Sequence, residues 1–248
     1  RLSKREVLEY LERVAPRMLP HVAGRLLSVL RCPDGAGGTC FYQRHPAVWA
    51  DAAIHRHRDG DDDYLYVRER RGLLALAQGN ALEFHPWGAR VATLEQPERL
   101  VFDLDPDPAL PFAVVREAAF ELREVLGALD LDSLPLLTGG KGIHVVVPLR
   151  RGPRWPVVKA FTKAIAERLA GQLPTRYVAT SSKAKRQGRI FIDYLRNERG
   201  ATAIAPYSPR ARLHAPVAWP LSWRALKSSE SAASMRIVDV DSRMLARR

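Results

Sequence analysis

Residues 99–110 read RLVFDLDPDPAL, and the alternation inside them decides how the rest of the chain is organised. Leu100, Val101 and Phe102 make an apolar run, after which Asp103, Asp105 and Asp107 alternate with Leu104 and Pro106. Successive side chains of an extended strand face opposite ways, so Asp103 and Asp105 share one face, about 6.6 Å apart along the backbone, with Leu104 on the other. Pro106 and Pro108 end strand pairing there and leave the acids where a ligand can reach them. Asp107, beyond Pro106, reads as a turn residue. Two solvated turn aspartates are the plainer reading. The apolar lead-in argues instead for a buried strand, where paired carboxylates are costly unless a cation lies between them.

Working outward, FAVVREAAFELREVLGAL (112–129) has Val115, Ala118, Leu122, Leu126 and Leu129 on one side of a helix. LPLL and IHVVVPL read as strands, VVKAFTKAIAERLAGQL as a second helix, and RIFIDYL and TAIAPY as later strands. Upstream, Ser3 and Glu6 form a capping box and Val7, Leu8, Leu11 and Val14 recur at helical spacing, so a helix is expected from 4 to about 14, ended by Pro16 and Pro20. LLSVLR (26–31), CFYQRH (40–45) and YLYVR (64–68) read as short strands. The expected fold is α/β: a central mixed β-sheet flanked by helices over 91–248, preceded by a smaller N-terminal α/β unit over 1–90.

Thirty-nine Lys and Arg stand against 27 Asp and Glu, a formal net charge of +12. That balance favours a polyanionic partner, because each neutralised phosphate releases condensed counterions. No window approaches a membrane-spanning apolar run and the N-terminus lacks the apolar region of a secretory signal, so a cytoplasmic protein with no membrane partner is expected. Cys32 and Cys40 lack a Cys-x-x-Cys or paired-histidine pattern and read as structural thiols, not a disulfide framework or a zinc site.

The acids are not an EF-hand: counting from Asp103, the sixth position is Pro108 and the twelfth Val114, where Gly and Glu are needed. DGDDDY (59–64) fails the same test and reads as a solvated loop, with His55 or His57 as adventitious ligands at most. In LLTGGKGIHVVVPL (136–149), the turn Thr138 to Gly142 offers backbone N–H groups, Lys141 and His144 to anionic oxygens, as a triphosphate requires. It is no Walker A loop, since the spacing is absent and a strand follows. A plain tight turn and a satisfied core histidine are the competing readings. In GRIFIDYLRN (188–197), Asp193 lies between Ile192 and Tyr194. It is either a third acid completing a site for two cations about 4 Å apart, or a partner of Arg189 or Arg196.

Taken in order, FDLDPDP, TGGKGIHVVVPL and RIFIDYLRNERGATAIAPYSPRAR resemble the primase-polymerase module of bacterial DNA ligase D, in the archaeo-eukaryotic primase superfamily. The resemblance extends upstream through HPWGAR, RCPDGAGGTCFYQRH and SKREVLEYLERVAPRMLPHVAGR, nearly the whole chain. It implies a template-directed nucleotidyltransferase that adds ribo- or deoxynucleotides to DNA 3′ ends and fills gaps during non-homologous end joining. Asp103, Asp105 and Asp193 would be the catalytic ligands of two Mn²⁺ or Mg²⁺ ions. His85, Thr138, Lys141, His144, Arg196 and Arg210 would bind the nucleoside triphosphate, and Thr138 stands where many relatives have Ser. Phe41 and Tyr42 match a position that meets the template base; adjacent strand residues diverge, so at most one should stack while the other packs inward. Lys4, with Arg13 or Arg17, resembles a pocket for a downstream 5′-phosphate, and Lys183, Lys185 and Arg186 belong to a DNA-contacting loop.

The resemblance also implies a piece of a larger bacterial, nucleoid-associated ligase with ligase and phosphoesterase domains, and the end-binding protein Ku as partner. Two alternatives stand beside it. Haloacid-dehalogenase-like phosphatases share a VFDLD-like first motif, although Pro106 and Asp107 replace the Gly and Thr that follow it there. A non-catalytic DNA-binding module would need only the basic surface.

Overall fold

The computed structural model describes residues 3–47, 51–150 and 152–246. The chain divides into two compact units: Arg1–Ala92 with Thr202–Trp219 and Met235–Arg248, and Thr93–Ala201 with Pro220–Ser234. The span 91–248 is therefore not a single unit. Two of its later segments pack into the first core, because Ala205, Ala215, Val217, Ile237 and Val240 join the apolar cluster built by the N-terminal helix.

In the first unit the chain runs α1 (Lys4–Val22), β1 (Leu26–Arg31), β2 (Phe41–Gln43), β3 (Ile54–Asp59), β4 (Asp62–Val67), α2 (Arg70–Gln78) and β5 (Ala81–Pro86). The capping box at Ser3 and Glu6 starts α1 as expected, but Pro16 and Pro20 lie inside the helix, which continues to Val22. A proline in a helix interior costs about 3 kcal/mol, whereas each fully buried large apolar side chain contributes about 1.5–3 kcal/mol. The stripe Val7, Leu11, Val14, Met18 and Val22 is buried throughout, so packing outweighs the prolines. β1 lies at the centre of the sheet, antiparallel to β2, β4 and β5.

Three local expectations change here. HRHRDGDDDY is a hairpin rather than a loop: β3 and β4 pair from Ile54↔Val67 to Asp59↔Asp62, and Gly60, at φ +62°, takes the first central position of a two-residue turn. Cys32 and Cys40 form a disulfide with Cα atoms 4.3 Å apart. The β1–β2 register, Leu30↔Tyr42 and Arg31↔Phe41, makes them the next opposed pair, which their spacing alone does not reveal. TAIAPY is not a regular strand: it touches β5 through Ala205 N–H to Phe84 O (2.9 Å), and Thr202 forms an isolated bridge with Trp87 just beyond β5.

The second unit contains β6 (Arg99–Pro106), α3 (Phe112–Gly127), β7 (Leu134–Leu137), β8 (Ile143–Pro148), α4 (Trp155–Gln172), β9 (Tyr177–Val178), β10 (Ile190–Asp193), the second residue of β11 (Trp219–Pro220) and α5 (Trp223–Lys227); α6 (Ser242–Ala246) belongs to the first unit. The sheet order is β11-β7-β8-β6-β10-β9, mixed because β10 runs parallel to β9 and antiparallel to β6. Val115, Ala118, Leu122 and Leu126 of α3 are buried as their spacing predicts, while Leu129 lies beyond the helix and is exposed. No helix among the described residues is long and apolar enough to cross a membrane.

Asn197 secures the strand that carries the acids. Its Nδ2 donates to Val101 O and its Oδ1 accepts from Val101 N–H, both at 2.7 Å, so a buried side chain takes the place of a neighbouring strand. Buried backbone groups left unpaired cost about 1–3 kcal/mol each.

Candidate active site

The register of the second sheet assembles the site. β6 lies between β8 and β10, with Asp103 opposite His144 on one side and opposite Asp193 on the other. Directly opposed residues point to the same face, so His144, Asp103 and Asp193 form one row across three strands. Asp105, two residues on from Asp103, joins that face, opposite Phe191. Leu104 points away and is buried. The strand reading of residues 99–106 thus holds at side-chain level, and Asp107 is a turn residue, accepting from Ala109 N–H (2.8 Å) and Gly188 N–H (3.0 Å).

Two arginines neutralise the row. Arg196 lies 3.3 Å from Asp103 and 3.2 Å from Asp193. Arg186 pairs with Asp105 at 2.9 Å while its guanidinium stacks 4.0 Å from the centre of the Phe191 ring. The Asp193–Arg196 pair expected as the alternative is present, and it coexists with the row. Burial would raise the Asp103 carboxyl, but His144 and Arg196 outweigh it and the net direction is down. Asp105 and Asp193 are pushed up, by burial first; the charge of Asp103 adds to both.

Among the described residues no group of three or more His, Cys, Asp or Glu is arranged to hold a metal ion as it stands, and arginines pair with the carboxylates of the row. The donor set nevertheless suits a hard divalent cation: three carboxylates on one face, two of them pushed up by burial and, less, by the charge of Asp103. His144 Nε2 lies 3.5 Å from Asp103, and its buried Nδ1 has no hydrogen-bond partner among the described residues.

The turn after β7 differs in use from its sequence reading. Thr138 Oγ1 donates to Gly142 O (2.8 Å) and accepts from Gly140 N–H (3.3 Å), and Gly139 N–H donates to Ala232 O (2.9 Å). Of the amides offered to an anion, one is thus spent on the turn itself and another on Ala232. Lys141 is exposed; its charge only partly offsets the upward push on Asp105, and it adds to the lowering of Asp107, which is due first to the Ala109 and Gly188 amides. A Cβ on Gly142 would come 2.4 Å from Leu104 O, so only glycine lets this turn close onto β6.

In the first unit, His85 and Arg210 meet at Glu83, which sequence reasoning missed. His85 Nε2 lies 2.9 Å from Glu83 Oε2, Arg210 Nε 3.1 Å from Oε1, and Ala211 N–H donates to Oε1 at 2.9 Å. The available signal was ALEFHP, which puts a carboxylate two residues before His85 in a buried strand. Burial raises the Glu83 carboxyl, but His85, Arg210 and the Ala211 amide carry it down to about 2 from an ordinary 4.5. A depressed carboxyl stabilises the fold fully above its unfolded pKa and loses that contribution as pH falls toward the folded value. For Glu83 this amounts to about 3 kcal/mol, lost between pH 4.5 and 2. The urea midpoint of the wild type should therefore fall toward that of Glu83→Gln between pH 5 and 3; a constant gap would show that Glu83 is not depressed.

The remaining sequence candidates are dispersed over the first unit and the segment before β10. Phe41 and Tyr42 are both exposed, at 46% and 61%, so neither packs inward; β2 is a three-residue edge strand that covers neither side. The Arg31 guanidinium lies 5.7 Å from the Phe41 ring centre, and Tyr42 stands edge-on to His85 at 5.4 Å. Lys4 Nζ donates to Gln78 O (3.1 Å), Arg13 is exposed, and Arg17 ties α1 to Leu245 O. Lys183 and Lys185 are exposed on a 3₁₀ turn, whereas Arg186 is drawn onto Asp105.

A family model described as LigD, primase-polymerase domain, matches residues 3–248. The chain belongs to that family. Members of the LigD primase-polymerase family are metal-dependent nucleotidyltransferases that use nucleoside triphosphates, and the phosphatase alternative is not favoured. The chain is 39% identical to the multifunctional non-homologous end joining protein LigD of Pseudomonas aeruginosa, over 98% of this chain and 29% of that protein. It is 30% identical to the bifunctional non-homologous end joining protein LigD of Bacillus subtilis, over 98% of this chain and 40% of that one. The polymerase domain of Mycobacterium tuberculosis ligase D, solved in complex with DNA, is similar in fold, with a TM-score of 0.88 and 30% identity over 98% of this chain and 89% of the other. The chain thus spans well under half the length of these curated LigD relatives.

Proposed function

We propose that this chain is a template-directed polymerase module that adds ribo- or deoxynucleotides to DNA 3′ ends and fills gaps in end-joining repair, within a longer ligase that works with Ku. The observation that carries the reading is the row His144, Asp103, Asp193 with Asp105 beside it, held on three adjacent strands. Asp103, Asp105 and Asp193 would hold Mn²⁺ or Mg²⁺. Such ions, when bound, lower the pKa of a primer 3′-hydroxyl and offset charge on the triphosphate.

The chain's own residues do the rest. Arg196 bridges Asp103 and Asp193 and holds their carboxylates toward one another. Arg186 holds Asp105 through Oδ2, and a cation on that carboxylate would share it with the guanidinium or displace it. Lys141 and His144 supply cationic and donor groups for phosphate oxygens, with Thr138 holding the turn that presents them. His85 and Arg210 do the same in the first unit. Phe41 and Tyr42 supply exposed rings for stacking on a template base, and Lys4, Arg13, Arg17, Lys183 and Lys185 supply charge for the DNA backbone.

Single-nucleotide addition to a gapped duplex bearing a downstream 5′-phosphate, with Mn²⁺ or Mg²⁺ and each ribo- and deoxynucleotide, tests the reading. The expected result is addition of the nucleotide complementary to the template base. No addition by the folded protein, or addition indifferent to the template, would overturn it.

A further inference from the structure

Glu83 lies in the middle of β5, buried to 3% exposure and outside the aspartate row. Both its oxygens are engaged: Oε2 with His85, Oε1 with Arg210 and the Ala211 amide. Glu83 and His85 share a face of β5 because they are two residues apart, and Arg210 arrives from a segment more than a hundred residues on. That segment is also docked away from Glu83: Ala205 N–H donates to Phe84 O and Phe84 N–H to Ser208 Oγ, both at 2.9 Å. The carboxylate adds one further backbone contact, at the Ala211 amide, and direction for two side chains.

A buried carboxylate is expensive and is retained only when its partners satisfy it. Here its partners are the two first-unit side chains assigned above to the nucleotide. A carboxylate on Nε2 fixes the proton there and sets the orientation of the ring. On the Arg210 side the contact is an ion pair at 3.1 Å, which draws the guanidinium to the carboxylate by charge. We infer that Glu83 is a positioning residue for nucleotide binding, aiming the His85 ring and the Arg210 guanidinium at the anionic triphosphate. This rests on the proposed reading of His85 and Arg210 as nucleotide ligands.

The test is nucleotide-dependent single addition, with KM and kcat measured separately for the wild type, Glu83→Gln, Glu83→Asp, His85→Ala and the double variant Glu83→Gln/His85→Ala. Melting temperature and affinity for gapped DNA without nucleotide report on folding. Glu83→Gln should raise the nucleotide KM about tenfold, the scale seen when the orienting partner of a binding histidine is lost. Its effect on kcat and on DNA affinity should be smaller, and Glu83→Asp, which keeps the charge, should recover part of the loss. In the His85→Ala background the Glu83→Gln penalty should shrink, because residues acting through one another are not additive. If Glu83→Gln does not fold, Glu83→Asp carries the same comparison. An unchanged KM in a folded Glu83 variant, or the full penalty persisting without His85, overturns the inference. If His85→Ala alone leaves the nucleotide KM unchanged, the nucleotide-site reading falls and takes the inference with it; if His85→Ala raises KM and Glu83→Gln does not, only the inference falls.

Discussion

Asp193→Ala should abolish templated nucleotide addition, by on the order of 10³-fold, while leaving affinity for gapped DNA within about twofold. Loss of metal-based charge stabilisation in a transition state is worth several kcal/mol, and about 4 kcal/mol is a thousandfold in rate. Asp193 sits opposite Asp103 in the β6–β10 pair, and its carboxylate also accepts from Leu195 N–H at 2.9 Å. Asp193→Asn, which keeps an acceptor for that amide, separates charge from local structure and should be nearly as inactive. The folded state should not suffer greatly, because burial and the charge of Asp103 already push this carboxyl up and make its ionised form expensive. An Asp193→Ala protein retaining more than a tenth of wild-type addition would remove Asp193 from the chemistry.

The second large effect is structural. Gly142→Ala would place a Cβ 2.4 Å from Leu104 O and 3.5 Å from Asp103 Oδ1. The first atom is strand backbone, pinned by β6 pairing on both sides, so it has little room to give. Overpacking of this kind costs about 1–3 kcal/mol, and a clash with backbone belongs at the upper end. The variant should melt several degrees lower. Nucleotide addition should fall more than the stability loss explains, since relief of the clash moves the strand that carries Asp103 and the turn that carries Lys141. Wild-type melting and activity in Gly142→Ala would mean the turn has slack that the geometry denies it.

The acids were legible in the sequence because two-residue alternation after an apolar run puts Asp103 and Asp105 on one face whatever surrounds them. The helix at 112–127 was legible for the corresponding reason at its own period. Elsewhere local signals misled. Pro16 and Pro20 read as helix stops, yet the buried stripe of α1 carries the helix past both. The charges of DGDDDY masked a hairpin whose turn glycine, Gly60, was visible. The disulfide depended on the pairing of β1 with a three-residue strand, which no local pattern announces.

What the order of residues settled was the kind of group at each position and the face it takes within its own strand or helix, since those follow from backbone periodicity over a few residues. It also placed glycines in the tight turn after β7. Which groups meet was left to the fold. Asp193 reaches Asp103 through strand pairing across some ninety residues, Arg186 leaves its basic segment to sit on Asp105, and Arg210 joins Glu83 and His85 from the far end of the first unit. Such meetings depend on register and on the charge each buried group needs beside it, and both exist only once distant segments have packed.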